Sequence, residues 1–292
     1  MADTREQGGG KSWGLNDDEL ASYPTAYRDD YLQGKSVIVS GGGTGIGRAM
    51  AYLFARLGAR VMICSRNQDN LDQTAAGIKQ RLGRDIDTMA LTIRDPEAVA
   101  ALMDTVWDKY GKLDLLVNNG GGQFPQQAID YSVKGWKAVI DTNLNGTWYM
   151  MQQAARHWRD HEQPGSIVNI VADIWRGMPG IAHTCAARAG VVFASRTVAV
   201  EWAPYHIRVN CVAPGTIATP GLNVYPEEAA KDFHRANPML TCGDAMDIAE
   251  AALYLGTHSG KFITGECLTV DGGQRLWGEA WPNGKPEYFD MP

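Results

Sequence analysis

Residues 36–58 read SVIVSGGGTGIGRAMAYLFARLG. Ser36 to Ser40 is a short β-branched run that predicts a strand, and from about Gly45 to Leu57 the pattern changes period. Ile46, Met50, Leu53, Phe54 and Leu57 recur at helical spacing, and Gly58 supplies a C-terminal stop. Between strand and helix lies Ser40-Gly41-Gly42-Gly43-Thr44-Gly45-Ile46-Gly47. A glycine string alone is a plain turn signal, and its position makes it specific. Glycines let the chain turn tightly and approach a pyrophosphate, while the helix start presents free N–H groups and positive potential. Gly41, Gly43, Thr44, Gly45, Ile46 and Gly47 are therefore candidate dinucleotide contacts.

Outward from this unit, strand and helix patterns alternate. Strands are predicted over 60–65, 86–91, 113–117, 166–171, 207–212 and 266–270, and helices from about 66 to 81, from Asp95-Pro96-Glu97 onward, over 186–202 and over 246–255. A long helix over 132–160 is expected to break or kink near Asn145-Gly146. The expectation is a single-domain α/β fold: a Rossmann-type, doubly wound parallel sheet of about seven strands with helices on both faces. Residues 1–33 read as an N-terminal extension, with Gly8-Gly9-Gly10 flexible and Trp13, Tyr23, Tyr27 and Tyr31 able to pack on the domain that follows. The domain itself spans 34–275. Residues 276–292 form a tail whose Trp277, Trp281, Tyr288 and Phe289 suit a surface or a subunit interface.

With 292 residues and 45% hydrophobic content, the chain can bury a large core. A formal charge of −6 argues against nucleic-acid or anionic-membrane partners. The polar start, the absence of a long apolar run and five widely spaced cysteines with no C-x-x-C pair point to a soluble, cytoplasmic protein with reduced thiols and no metal site. Cys64, Cys211 and Cys267 read as small core residues, whereas Cys185 falls beside the candidate site. The second strand discriminates between nicotinamide cofactors. NAD sites place an acid at its end; here the end reads Cys64-Ser65-Arg66-Asn67, and Ser65 with Arg66 suits the 2′-phosphate of NADP(H).

Several motifs, taken together, resemble the short-chain dehydrogenase/reductase family across about residues 34–275. They are the glycine loop with Ser40 at its head, Asn118-Asn119-Gly120-Gly121, Asn143 within Asp141-Thr142-Asn143-Leu144, Pro214-Gly215 and Asp271-Gly272-Gly273. The resemblance implies a nicotinamide cofactor held also by Asn118, Gly120, Arg188, Pro214, Gly215, Ile217 and Thr219, and a homotetramer or homodimer. It also exposes departures. The family's catalytic Ser, Tyr and Lys are replaced: the fifth strand ends Val171-Ala172-Asp173, Thr184 stands at the Tyr position and Arg188 at the Lys position. A threonine hydroxyl is too weak an acid to replace a phenol. Arg188 stays charged and suits ribose hydroxyls, but does not shuttle protons.

Leu115 to Phe124 and Ala186-Ala187-Arg188-Ala189-Gly190 resemble the peroxisomal trans-2-enoyl-CoA reductases, with 2,4-dienoyl-CoA reductases more distant. Reduction of a C=C bond conjugated to a thioester tolerates loss of Tyr, because positioned donors stabilise the developing enolate. Ala172 to Gly180 with His183 instead resembles bacterial enzymes of citronellol and citronellal oxidation. In that reading Asp173 serves as a base or orients His183; the plain alternatives are a helix or loop cap for Asp173 and an N-terminal helix-flank position for His183. The candidate catalytic set is thus Asn143, Asp173, His183, Thr184 and Arg188. Residues 217–240 read as an apolar lid over a small hydrophobic or acyl-thioester substrate, with Lys231, His234 and Arg235 as weak candidates for a CoA phosphate. Three functions stand open: C=C reductase, terpenoid-type alcohol or aldehyde dehydrogenase, and a non-catalytic nucleotide-binding protein.

Overall fold

A computed structural model describes residues 13–225 and 232–277. Gly8–Gly10, Lys231, Trp281, Tyr288 and Phe289 lie outside the described residues. Seven parallel strands form one sheet: β1 (Ser36–Ser40), β2 (Arg60–Ser65), β3 (Asp87–Ala90), β4 (Leu115–Asn118), β5 (Gly165–Ile170), β6 (Ile207–Pro214) and β7 (Cys267–Val270). Their order is β3-β2-β1-β4-β5-β6-β7. The chain reverses its direction of winding between β1 and β4, and that crevice is where ligands of open α/β sheets bind.

Alternation within β1 sorts its side chains to two layers. Val37 and Val39 face one core with Met50, Leu53 and Phe54 of α2 (Gly45–Arg56) and Ile248 and Leu253 of the C-terminal helix (Ala245–Gly256). Ile38 faces the other, with Met103 and Trp107 of the helix Pro96–Tyr110 and Met150 and Trp158 of the helix Thr147–Asp160. Burying each such side chain is worth about 1.5–3 kcal/mol. Cys64 is buried in the second of these cores and Cys211 and Cys267 in a smaller cluster with Val171, Val191, Val192 and Ala213; Cys185 and Cys242 are partly exposed, and all five are free thiols.

Residues of the N-terminal extension are built into the first layer. Asn16 and Glu19 form a capping box that starts α1 (Asp17–Ser22), and Leu20 and Leu32 join the core. Asp17 accepts from Arg48 and Tyr52 of α2, Arg48 also reaches Leu15 O at 3.2 Å, and Tyr31 binds Thr257 and Ser259. The polar side chains of this segment thus close on partners in the sheet domain.

The long helix is interrupted as its sequence suggests, by a widened turn instead of a break. Val133–Ile140 is α-helical, Asp141–Gly146 is a π segment, and Thr147–Asp160 resumes the α form. Gly146 lies against Ile93, where an added Cβ would be 2.7 Å away. Such π turns gather at functional sites. The helix Ala182–Glu201 begins four residues before its predicted start, placing His183 and Thr184 inside its first turn.

Candidate active site

The glycine loop is braced from the strand beside it. Ser40 Oγ accepts from Asn119 N at 3.1 Å and Gly120 N at 2.9 Å, and Asn119 Nδ2 donates to Ser40 O and Gly41 O at 3.2 and 3.3 Å. Gly41 has φ +68°, a left-handed turn that favours glycine. At Gly47 an added Cβ would fall 2.2 Å from Gly41 O, so helix and loop meet only because both lack side chains. Thr44 leaves the start of α2 without a side-chain cap, and its first turn holds no acid. Those features leave a helix start whose free N–H groups and positive potential suit an anion.

A cleft beside this loop is lined by Gly41, Gly43, Thr44, Ser65, Arg66 and Gly120. Arg66 is exposed and makes no hydrogen bond or ion pair with a described residue. Ser65 turns toward Asn67, donating to its carbonyl at 3.2 Å. Thr219, from the loop after β6, covers the helix start: an added Cβ on Gly45 would be 3.5 Å from Thr219 Cβ. Ile217 is buried and bridges Gly243. Pro214 and Gly215 close the carboxyl end of β6 against Asp173 and Asp271, Pro214 O accepting from Asp173 N at 2.9 Å. Asn118 points elsewhere. Its Nδ2 donates to Asn169 Oδ1 at 2.9 Å within a buried polar chain that continues to Ser195 and Cys211. Its side chain therefore ties strands together, and Asn119, not singled out from the sequence, holds the loop.

Three of the five candidate catalytic residues converge. The π turn directs Asn143 inward, where Nδ2 donates to Gly122 O (3.0 Å) and Thr184 Oγ1 (2.8 Å) and Oδ1 accepts from Gly122 N (2.9 Å). Thr184 is fully buried. It serves as a brace for Asn143, and its hydroxyl is not open to a substrate. Arg188 is buried, and its Nη1 donates to Ile170 O at 3.0 Å. Burial pushes its guanidinium down to about 10, with the Cys211 thiol opposing the shift. At that value it remains a cation at neutral pH, and no ion pair with a described carboxylate offsets it. Its other end rests on Gly121, where an added Cβ would meet Arg188 Nη2 at 2.2 Å and Asn143 Oδ1 at 3.0 Å.

Asp173 and His183 are not brought together. Burial raises the Asp173 carboxyl above its usual range, and the neighbouring Asp271 adds to that, while Arg176 and Arg275 oppose it. His183 is fully buried, stacked on Tyr131 at 4.6 Å and edge-on to Phe124 at 4.6 Å. Its Nδ1 accepts from Thr184 N, and burial depresses its basicity. No hydrogen bond or ion pair joins the two side chains among the described residues, so a base–orienter couple is absent there.

The cleft fits a nicotinamide dinucleotide by its own features: an uncapped helix start, a loop of close-approaching glycines, an unpaired Arg66 and a buried cation at Arg188. Residues 41–275 match the family model described as enoyl-(acyl carrier protein) reductase. The chain is 38% identical over 250 residues to a probable 2,4-dienoyl-CoA reductase of Bacillus subtilis, covering 84% of this chain and 98% of that protein. It is 35% identical over 262 residues to the peroxisomal 2,4-dienoyl-CoA reductase of Rattus norvegicus, covering 88% and 89%. Among solved structures, a citronellol catabolism dehydrogenase of Pseudomonas aeruginosa superposes with a TM-score of 0.77 at 35% identity, covering 87% of this chain and 100% of that one. The dienoyl reductases, placed further off by the sequence motifs, are thus clear relatives. Among the described residues no helix is long and apolar enough to cross a membrane.

Proposed function

The chain belongs to the short-chain dehydrogenase/reductase family, and from that premise we propose that it is an NADP(H)-dependent reductase of a C=C bond conjugated to a thioester carbonyl. The substrate class is a 2-enoyl- or 2,4-dienoyl-CoA-like ester. When bound, the reduced nicotinamide supplies a hydride to the substrate. The observation that carries the reading is Thr184: the family's acid position holds a buried aliphatic hydroxyl already bonded to Asn143. Carbonyl reduction needs a strong proton donor at the oxygen, whereas conjugate reduction needs the oxygen's developing charge stabilised.

This chain's own groups suit the second task. The buried cation of Arg188 sits in a low-dielectric setting where a developing negative charge is stabilised more than in water. Asn143 holds the Gly122 backbone and the Thr184 hydroxyl, and so fixes the floor of the site. Ser65 and Arg66 at the end of β2 support the choice of NADP(H), since an Asp or Glu would stand there for NAD. Val224, Met239 and Leu240 give the loop after β6 exposed apolar side chains suited to an acyl chain. Free thiols throughout support a cytoplasmic setting. Exposed Phe193 and Val200 on the helix Ala182–Glu201, with exposed Phe262, support assembly as a homodimer or homotetramer.

The second reading, oxidation of a terpenoid-type alcohol, is favoured by the likeness to the citronellol catabolism dehydrogenase. The test is a panel of enoyl- and dienoyl-CoA esters with NADPH beside terpenoid alcohols with NADP. Turnover of the esters that survives Thr184→Ala and is lost in Arg188→Ala supports the reductase. Alcohol oxidation that depends on Asp173 or His183 replaces it with the dehydrogenase, and cofactor binding without turnover leaves a nucleotide-binding protein.

A further inference from the structure

A conjugate reduction needs a proton at Cα, and the position that provides the family's phenol provides none here. Among the aromatic residues near the mouth, Tyr131 is committed: its hydroxyl donates to Gly180 O at 2.8 Å and accepts from Ala182 N at 3.1 Å. His183 is enclosed between Tyr131 and Phe124 with no exposure. Tyr225 differs on both counts. It lies on the loop after β6, is part-exposed, and its hydroxyl accepts from Gln123 Nε2 at 2.8 Å. An oxygen that accepts from Gln123 has its own hydrogen free, and no described residue takes it.

The anchor of Tyr225 ties it to the residue next to the reaction floor. Gln123 directly follows Gly122, whose amide and carbonyl hold Asn143. The Tyr225 ring also packs edge-on against Phe233 at 5.5 Å, within the same loop. Burial holds its phenol above the usual range, the Gln123 bond pulls the other way, and the Cys185 thiol, one residue from Thr184, raises it further. The group therefore stays protonated at neutral pH, as an acid must.

We propose that Tyr225, carried by the substrate loop and oriented by Gln123, is the proton donor to Cα, taking the place of the phenol that Thr184 has lost. The assignment rests on the conjugate-reduction reading above. With the hydride added at the distal carbon, the enolate electron pair forms a new Cα–H bond as the Tyr225 Oη–H bond breaks, and the thioester C=O is restored. The phenolate left behind keeps the Gln123 N–H as its donor and recovers a proton from water.

The experiment compares full-length wild type and Tyr225→Phe with NADPH and an enoyl-CoA ester in D2O. Catalytic rate and the face of deuterium entry at Cα are both read. The expected result is a fall in kcat of about 10²-fold or more, with KM little changed, and loss of single-face deuteration in the product that still forms. Unchanged rate and unchanged single-face labelling in Tyr225→Phe overturn the assignment. If wild type turns over no ester, the reductase reading falls by itself. Tyr225 is then judged by binding of a β-ketoacyl-CoA to the NADP-loaded protein. Roughly tenfold weaker binding in Tyr225→Phe, with saturated acyl-CoA unaffected, keeps it as a donor to the ligand; equal binding removes it.

Discussion

Gly121→Ala is the sharpest perturbation the site offers. An added Cβ would stand 2.2 Å from Arg188 Nη2, 3.2 Å from its Cζ and 3.0 Å from Asn143 Oδ1, where ordinary contact begins near 3.4 Å. The guanidinium must therefore move by about 1 Å, and a displacement of that size in a positioned group costs on the order of 10²-fold in rate. It cannot swing aside freely, because Nη1 is bonded to Ile170 O at 3.0 Å and the group is buried. Overpacking of this kind also destabilises the fold by about 1–3 kcal/mol. The next residue is the control. At Gly122 an added Cβ meets nothing within 4 Å, and both backbone bonds to Asn143 survive. The assay is kcat/KM for NADPH-dependent reduction, with NADPH affinity by fluorescence titration and thermal unfolding alongside. Gly121→Ala should lose about 10²-fold in kcat/KM, while Gly122→Ala should stay within about twofold. Equal behaviour of the two variants, in either direction, refutes the reasoning.

Other consequences are separable. Arg66→Ala should weaken NADPH binding by about 10- to 100-fold through loss of charge-assisted bonds to a 2′-phosphate, and leave NADH binding and thermal stability unchanged; equal loss for both cofactors would contradict the assignment. Tyr23 donates to Asp244 at 2.5 Å, the residue that caps the C-terminal helix beyond the substrate loop, while an added Cβ at Gly14 would lie 3.3 Å from Pro220. Tyr23→Phe should therefore cost about 1 kcal/mol and speed proteolysis within residues 217–243, a result that unchanged cleavage would exclude. Burial depresses His183, so it is neutral in the fold and takes up a proton on unfolding below its ordinary value near 6.5. Its contribution is present above that pH and lost as pH falls; His157, also depressed by burial, adds to the same slope. His183→Phe should flatten the fall in melting temperature between about pH 7 and pH 5 without abolishing it.

The sheet was legible because its strands are continuous apolar runs and its helices carry a 3.6-residue stripe, so period and punctuation suffice for β1, α2 and the crevice between β1 and β4. The glycine loop was legible for the same reason. What escaped depended on side-chain direction and on contacts between distant segments. Asn118 and Asn119 are adjacent, yet the first, at the end of β4, ties β4 to β5, while the second, one residue past the strand, turns to hold the glycine loop. The break expected near Asn145-Gly146 is a π turn that aims Asn143 at Thr184, a geometry that helical periodicity does not specify. Asp173 and His183, plausible partners by their nearness in sequence, are set apart: one senses Asp271 near the end of β7 and the other is enclosed by Tyr131 and Phe124. Tyr225 joins Gln123 across about a hundred residues, and no local pattern announces such a pairing.

The most direct test of the central claim is product analysis after incubating the purified protein with NADPH and a 2,4-dienoyl- or trans-2-enoyl-CoA ester. The account predicts stoichiometric NADPH consumption and an acyl-CoA heavier by one hydride and one proton, with one C=C bond fewer and the thioester intact. Tight NADPH binding with unchanged esters, or reduction appearing only at a carbonyl, would contradict it.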